Sequence, residues 1–299
     1  MGWVRQFRLL PDEIAYGKFD AAGLGFLVGR THPYGRVEQL RLISDWHAWF
    51  FLRDDKGDES EAANRPNELS TADNRFLDIL EGAEPTCYDE PLAYALYDLR
   101  SRLLECSRAN DLPGTWMRRF VRVVRKHLEA TLWEVSNRAH GVPPNAATYL
   151  RMRRLTGGLS IITELEEIIE GRHLPIEVRE HNAVRRLTET SHNVVCWAND
   201  VFSLDKELRN GEVNNLVIVL SKFEGLSLPE AVDRCVELHN AEMDTFVDLA
   251  TRVPSFWPEA DAMLQHYISS LRTRMRGVFD WSSKSARYHG TVGNLSTVS

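Results

Sequence analysis

Apolar side chains in this chain recur at the three- and four-residue spacing of an amphipathic helix over almost its whole length, and the period-two alternation of a strand is nearly absent. From Val37 to Asp54, the residues Leu40, Ile43, His47, Phe50, Phe51 and Asp54 fall on one stripe. Comparable runs cover 68–82, 91–108, 114–137, 144–170, 176–207, 228–251 and 256–279, and prolines punctuate the gaps between them. Ser227 with Glu230 three residues on forms a capping box that opens the 228–251 helix. The apolar run Leu216–Leu220 follows a helix and has no partner strand, so it reads as the start of another helix. No repeat and no Gly/Ser- or Pro-rich linker divides the chain. The expected architecture is all-α: a single helical domain over residues 1–288 with roughly ten helices. The small, polar tail 289–299 is expected to be loose.

Charge and composition narrow the function classes. The 299 residues carry 36 Lys and Arg against 43 Asp and Glu, a net charge of −7, which argues against gripping nucleic acid as a main task. No stretch approaches the ~20 apolar residues that cross a bilayer, so no membrane insertion is expected. The N-terminus lacks the apolar segment and small-residue cleavage site of a secretory signal. Cys87, Cys106, Cys196 and Cys235 stand far apart without a C-x-x-C pair, which favours reduced thiols and a cytoplasmic location.

Two oxygen-rich clusters stand out. The helix over 37–54 ends in Arg53-Asp54-Asp55-Lys56-Gly57-Asp58-Glu59. A charge run at a helix end is usually a solvated face, but Asp54 continues the stripe of Phe50 and Phe51 and should point where those rings point. A carboxylate so placed is costly unless it is paired or holds a metal. In the second cluster, Asn199, Ser203 and Glu207 recur every four residues and share one helix face. An amide oxygen, a hydroxyl and a carboxylate form a low-charge, all-oxygen half-shell that suits Mg2+. The plain alternative is an ordinary polar face, against which stand the buried-type neighbours Val194, Val195, Cys196, Trp197, Val201 and Phe202. Upstream, Gly157 and Gly158 interrupt a long helical pattern at ~1 kcal/mol each relative to alanine, so a break with exposed carbonyls is expected at Thr156–Gly157.

In this order and spacing the chain resembles the bacterial class I terpene synthases over nearly its whole length. Asp54-Asp55-Lys-Gly-Asp58-Glu59 is similar to the family's aspartate-rich motif, and its second metal motif, N-D-x-x-S-x-x-K-E, is present in full from Asn199 to Glu207. Arg153 falls where the family has an arginine that senses the diphosphate. Thr156 and Gly157 fall on the linker and effector positions of the helix break, and Arg287-Tyr288 on the C-terminal Arg-Tyr pair. Asn215-Leu-Val also looks like the family's continuation. There are two departures: Arg53 stands where the family usually has an apolar residue, so the helix end is expected to sit differently. The chain also begins close to the expected first helix, without the segment that packs over the active-site mouth in relatives.

The resemblance implies a helical bundle around a deep apolar cavity, with Asp54, Asp55, Asp58 and Glu59 facing Asn199, Ser203 and Glu207 at its rim. Three Mg2+ ions would bind with an isoprenyl diphosphate, Asp54 holding two and the second motif one. Arg153, Lys206 and Arg287 would hydrogen-bond the phosphates, joined by Tyr288. The allylic cation left by ionisation needs a dry pocket lined by groups that stabilise it without attacking. Aromatic faces do this through their quadrupole, and Phe50, Phe51 and Trp281 are the candidates, each with core packing as the competing explanation. Cys196 and His192, on the face of Asn199, are candidates for the wall. The expected substrate is farnesyl diphosphate, with geranylgeranyl diphosphate as the alternative and geranyl diphosphate a lesser one; the expected assembly is a homodimer. The rivals are a chain-elongating prenyl diphosphate synthase, which usually carries a second aspartate-rich motif where Asn199-Asp200-Val-Phe-Ser203 stands here, and a non-catalytic helical scaffold.

Overall fold

The computed structural model describes residues 1–59 and 66–288, with the side chains of all of these except 57–59 and 66–68. The Asp58 and Glu59 side chains and the tail 289–299 therefore lie outside the described residues. Among those described there is no strand, and fourteen helices follow one another. They are α1 (Gly2–Gln6), α2 (Glu13–Ala21), α3 (Leu24–Thr31), α4 (Val37–Glu59), α5 (Pro66–Glu81), α6 (Pro91–Ala109) and α7 (Trp116–His140). The second half holds α8 (Ala146–Thr156), α9 (Leu159–Glu170), α10 (Ile176–Arg179), α11 (Asn182–Arg209), α12 (Leu216–Glu224), α13 (Leu228–Thr251) and α14 (Pro258–Ser282). None of them is long and apolar enough to cross a membrane.

The prolines and caps do what their positions in the sequence suggest. Pro91, Pro229 and Pro258 sit in the first turns of α6, α13 and α14, where a missing N–H costs nothing. The Glu230 carboxylate accepts the Ser227 backbone N–H at 2.8 Å, closing the capping box. Asn145 and Asn215 cap α8 and α12 by accepting from Thr148 N and Val217 N. Three short N-terminal helices were not evident from periodicity, because segments of five to nine residues show too few turns for a stripe to register. One of them, α3, packs closely along α14. A Cβ at Gly277 would lie 2.7 Å from the Arg30 carbonyl carbon, so only glycine permits that approach.

Two apolar clusters form the interior. One joins the N-terminal helices to α4–α7 and α9, the other joins α8 to α11–α14. Helix α4 takes part on two faces. Leu42, Trp46 and Trp49 are buried in the first cluster, where Trp46 meets Phe120 edge-on at 5.2 Å and Trp49 meets Phe76 at 5.1 Å. His47, Phe50, Phe51 and Asp54 instead turn to a hollow between the clusters.

Arg53 explains why α4 runs on to Glu59 rather than ending at Asp54. It follows Trp46 and Trp49 along the core-facing row and is 3% exposed. Its guanidinium donates to both oxygens of Asp73 on α5, at 3.1 and 2.5 Å. The last turn is further held by the ion pair of Lys56 with Glu90 at the start of α6. The position of the apolar residue is thus taken by a buried, paired cation.

Because Leu96 on α6 has no exposed surface, its replacement removes packing with little chance of repair. Leu96→Ala is expected to lower unfolding free energy by about 2–5 kcal/mol, as measured by urea denaturation followed by circular dichroism.

Candidate active site

The hollow is a cavity of about 280 Å³ open at one end. Helices α3, α4, α7, α8, α9, α11 and α14 contribute its walls. Around its mouth converge Asp54 from α4, Arg153 from α8, and Asn199, Ser203, Lys206 and Glu207 from α11. Arg287 and Tyr288, just beyond α14, complete that rim. The two oxygen-rich clusters, far apart in the chain, therefore share one opening.

The C-terminal pair joins them directly. Arg287 donates to both Asp55 oxygens, at 3.1 and 2.7 Å, and its guanidinium lies 4.6 Å from the Phe51 ring centroid. Next to it, the Tyr288 hydroxyl accepts from Asn199 Nδ2 at 2.7 Å. Two adjacent residues thus hold the first motif with one side chain and the second with the other. Lys206 stands 3.8 Å from the same Asp55 carboxylate. Asp55 is accordingly engaged by cations, and Asp54, with its side chain 39% exposed, lines the cavity while accepting from Arg53 Nη1 at 3.4 Å.

Behind the second motif lies a residue that the spacing argument passed over. Asp200 is offset by ~100° from Asn199 on α11 and has no exposed surface. It accepts from Tyr149 Oη at 2.7 Å, Arg153 Nε at 2.9 Å and Leu216 N at 3.1 Å. Burial pushes its carboxyl pKa up, and Arg153 and these hydrogen bonds oppose the rise. Arg153 also donates to Asn199 Oδ1 at 2.7 Å, so one guanidinium is oriented by both residues. Asn215 was noted only as part of a continuation. Its Nδ2 donates to the Asp200 carbonyl and to Glu207 Oε2, each at 2.7 Å. An Asn capping α12 beside a motif on α11 is a signal that only the fold makes readable.

The Gly157–Gly158 break is present, between α8 and α9. Gly158 takes the left-handed conformation, with φ of 67°, and starts α9. Gly157 is needed for space rather than for φ. A Cβ there would overlap Cys196 Sγ, while Cys196 Sγ itself lies 3.6 Å from the Arg153 carbonyl oxygen. His127 Nδ1–H donates to the Leu155 carbonyl at 3.0 Å, satisfying one of the carbonyls freed at the break. Burial lowers the His127 pKa to about 4, so the ring is neutral.

The cavity walls carry Phe50, Phe51, Thr156, Cys196 and Trp281, together with Leu27, Leu159, Ile162, Val195 and Val278. Trp281 belongs to the wall and to the packing, since it is 3% exposed and its Nε1 donates to the Ala22 carbonyl at 2.6 Å. Burial raises the Cys196 thiol to about 11, which makes it an inert wall group. One expectation is corrected. His192 does not line this cavity; it lies below it, against Thr163. Its offset of seven residues from Asn199 keeps it on the same helix face but about 10 Å further down α11. The cavity is also not apolar throughout, because Arg274 lies at its inner end.

The donor chemistry fits a hard divalent cation. Among the described residues no three His, Cys, Asp or Glu side chains cluster to hold a metal ion. The oxygens are instead an exposed carboxylate on one side and an amide, a hydroxyl and a carboxylate on the other. Burial, and then the charge of Asp200, push the Glu207 carboxyl up to about 7. It has Asn215 as an amide partner and no ion pair among the described residues, so a cation would compensate it.

An all-α bundle with oxygen clusters and arginines converging on one hollow of mixed polar and apolar lining matches the class I terpene synthases. Residues 45–245 match terpene synthase family 2, C-terminal metal binding, and the chain belongs to that family. It is 38% identical to the (+)-T-muurolol synthase of Roseiflexus castenholzii, over 97% of this chain and 87% of that one. It is 33% identical to the germacrene A synthase of Nostoc punctiforme, over 96% and 87% respectively. Among solved structures, α-eudesmol synthase superposes with a TM-score of 0.84 over 95% of this chain and 92% of that one, at 21% identity, a likeness of fold. The linalool/nerolidol synthase of Streptomyces clavuligerus gives a TM-score of 0.83 at 26% identity, over 94% and 92%.

Two substitutions separate support from chemistry. Asp200→Asn leaves Arg153 buried without its anion, and a stability loss of about 3–5 kcal/mol is expected in urea denaturation. Gly157→Ala is expected to cost about 1–3 kcal/mol by overpacking against Cys196, and Cys196→Ala in the same chain should recover most of it, read as a double-mutant cycle in melting temperature.

Proposed function

We propose that this chain is a Mg2+-dependent sesquiterpene synthase that ionises farnesyl diphosphate and cyclises the resulting cation to a hydrocarbon or alcohol. The observation that carries this reading is the shared mouth, where Arg287 reaches Asp55 and the adjacent Tyr288 reaches Asn199 across one cavity. The relatives support the substrate, since the name of the (+)-T-muurolol synthase states that it cyclises (2E,6E)-farnesyl diphosphate. They also support cyclisation over chain elongation or a non-catalytic scaffold.

In this reading Asp54 and Asp55 hold metal on one side of the mouth, and Asn199, Ser203 and Glu207 hold it on the other. Three Mg2+ ions with the diphosphate is the expected complement, and they supply Lewis-acid neutralisation of the charge that grows on the leaving group. Arg153, Lys206 and Arg287 donate hydrogen bonds to phosphate oxygens, with the planar guanidinium groups suited to paired contacts. For Arg287 this means exchanging the Asp55 carboxylate for phosphate, so substrate binding rearranges the rim. Tyr288 adds its hydroxyl to the same closing contact. Deeper in, Phe50 and Phe51 offer ring faces to the allylic cation, and the carbonyl of Gly157 presents a negative dipole to it. The apolar wall of Leu159, Ile162, Val195 and Val278 keeps water from quenching the cation early. Arg153 joins the second motif to the helix break, so its grip on the diphosphate and the position of Gly157 move together.

Incubation with farnesyl diphosphate and Mg2+, followed by gas chromatography–mass spectrometry, tests the assignment. A volatile C15 product formed without isopentenyl diphosphate is expected. A longer diphosphate formed only with that second substrate would overturn the reading in favour of elongation. Asn199→Ala and Glu207→Ala should each lower turnover by at least about 100-fold, on the scale of losing one transition-state electrostatic contact, with helical circular dichroism near wild type. Wild-type turnover in both variants would remove the second motif from the mechanism.

A further inference from the structure

The substrate cavity has a neighbour on the same axis. A second cavity of about 230 Å³ lies beneath it, and helices α9, α11 and α14 line both. Along α14, Trp281 and Val278 face the upper space, while Tyr267 and Met263 face the lower one. On α11 the same change runs from Asn199 and Cys196 to Thr188 and Val184, and on α9 Leu159 and Ile162 lie above while Glu167 and Glu170 lie below. The two cavities thus lie at different levels along the same three helices.

What divides them is a hydrogen-bonded plug contributed by all three helices. Arg274 of α14 is 2% exposed and lines the upper space. It donates from Nε to Glu166 Oε1 at 3.0 Å, with a second bond to Glu166 Oε2, and from Nη1 to Thr163 Oγ1 at 2.8 Å. Thr163 in turn meets His192 Nε2 at 3.1 Å. Glu166, Thr163 and His192 all line the lower space. A fully buried ion pair is an expensive way to fill a floor that leucine or methionine could fill, and its geometry holds it in one arrangement. It also presents a desolvated guanidinium to the inner end of a pocket meant for a hydrocarbon chain.

We propose that the Arg274–Glu166 pair is the chain-length stop of this enzyme, limiting the substrate cavity to a C15 prenyl chain. The inference rests on the reading of the chain as a sesquiterpene synthase and adds the residues that set its substrate size. One further isoprene unit would have to occupy the volume that these two side chains fill. Bulk is decisive here, because a longer chain cannot displace a guanidinium held by two residues without leaving charge buried and unpaired. Removing both partners together avoids that unpaired charge and opens the floor.

The test compares kcat/KM for geranylgeranyl and farnesyl diphosphates by diphosphate release, with products identified by mass spectrometry. The wild type is expected to favour the C15 substrate, and equal use of both by the wild type overturns the proposal without any variant. In Arg274→Ala/Glu166→Ala the C20-to-C15 ratio should rise by at least about 10-fold, the scale on which a pocket discriminates by size. Arg274→Met/Glu166→Met keeps the space filled without charge and should retain the C15 preference. An unchanged ratio in a folded alanine pair, or the same rise in both pairs, overturns it. Should the alanine pair lose its helical circular dichroism, Arg274→Ser/Glu166→Ser opens the same passage with hydroxyl groups left and is read in the same way. A wild type that makes nothing from farnesyl diphosphate sinks the functional reading; C15 turnover with an unmoved ratio sinks this inference alone.

Discussion

Asp200 is the interaction on which the site depends. A carboxylate with no exposed surface survives in a protein interior only if its charge and lone pairs are met, and two neighbouring helices meet them here. Tyr149 and Arg153 come from α8 and Leu216 N from the start of α12, while the carboxylate itself stands on α11. Asn215 then ties the Asp200 carbonyl to Glu207. The outcome is that Arg153, Asn199 and Glu207 are held relative to one another by groups that never need to touch substrate. Positioning of this kind matters because charge stabilisation in a dry site depends on donors already being in place.

The rim is built to exchange partners. Asp55 is paired with Arg287 and Lys206, and Asn199 accepts from Arg153 and donates to Tyr288. Asp55 and the Asn199 Oδ1 thus face cationic groups, while the Asn199 Nδ2 faces the Tyr288 hydroxyl, and under the proposed function a metal diphosphate would exchange with these partners. The contact at the first motif is partly solvated, which keeps the cost of breaking it small, whereas the Asp200 anchor behind the second motif is dry and stays.

Much of this was legible in the residues. Three- and four-residue periodicity marked most of the long helices, the prolines and the Ser227–Glu230 box marked several of their ends, and Asn199, Ser203 and Glu207 marked themselves by spacing. Local pattern could not assign Arg53, because a charged residue at the end of an apolar row reads as surface until Asp73 on another helix is known to face it. His192 was misplaced for a related reason. Sharing a helix face with Asn199 fixes direction around the axis but not depth along it, and the cavity ends before that turn.

By itself the sequence determined that the chain would be helical, where most of the long helices and the Gly157 break would fall, and which oxygens would stand on a common helix face, because these follow from backbone geometry over a few residues. It did not reveal α1–α3 or the break between α10 and α11. Tertiary structure alone decided that Asp54 and Asn199 would line one cavity, that Asp200 would anchor Arg153, and that Arg274 and Glu166 would pair. Those are juxtapositions of residues 47 to 145 positions apart along the chain, made by how buried surfaces interlock and how buried charges find partners, and no short-range pattern encodes them.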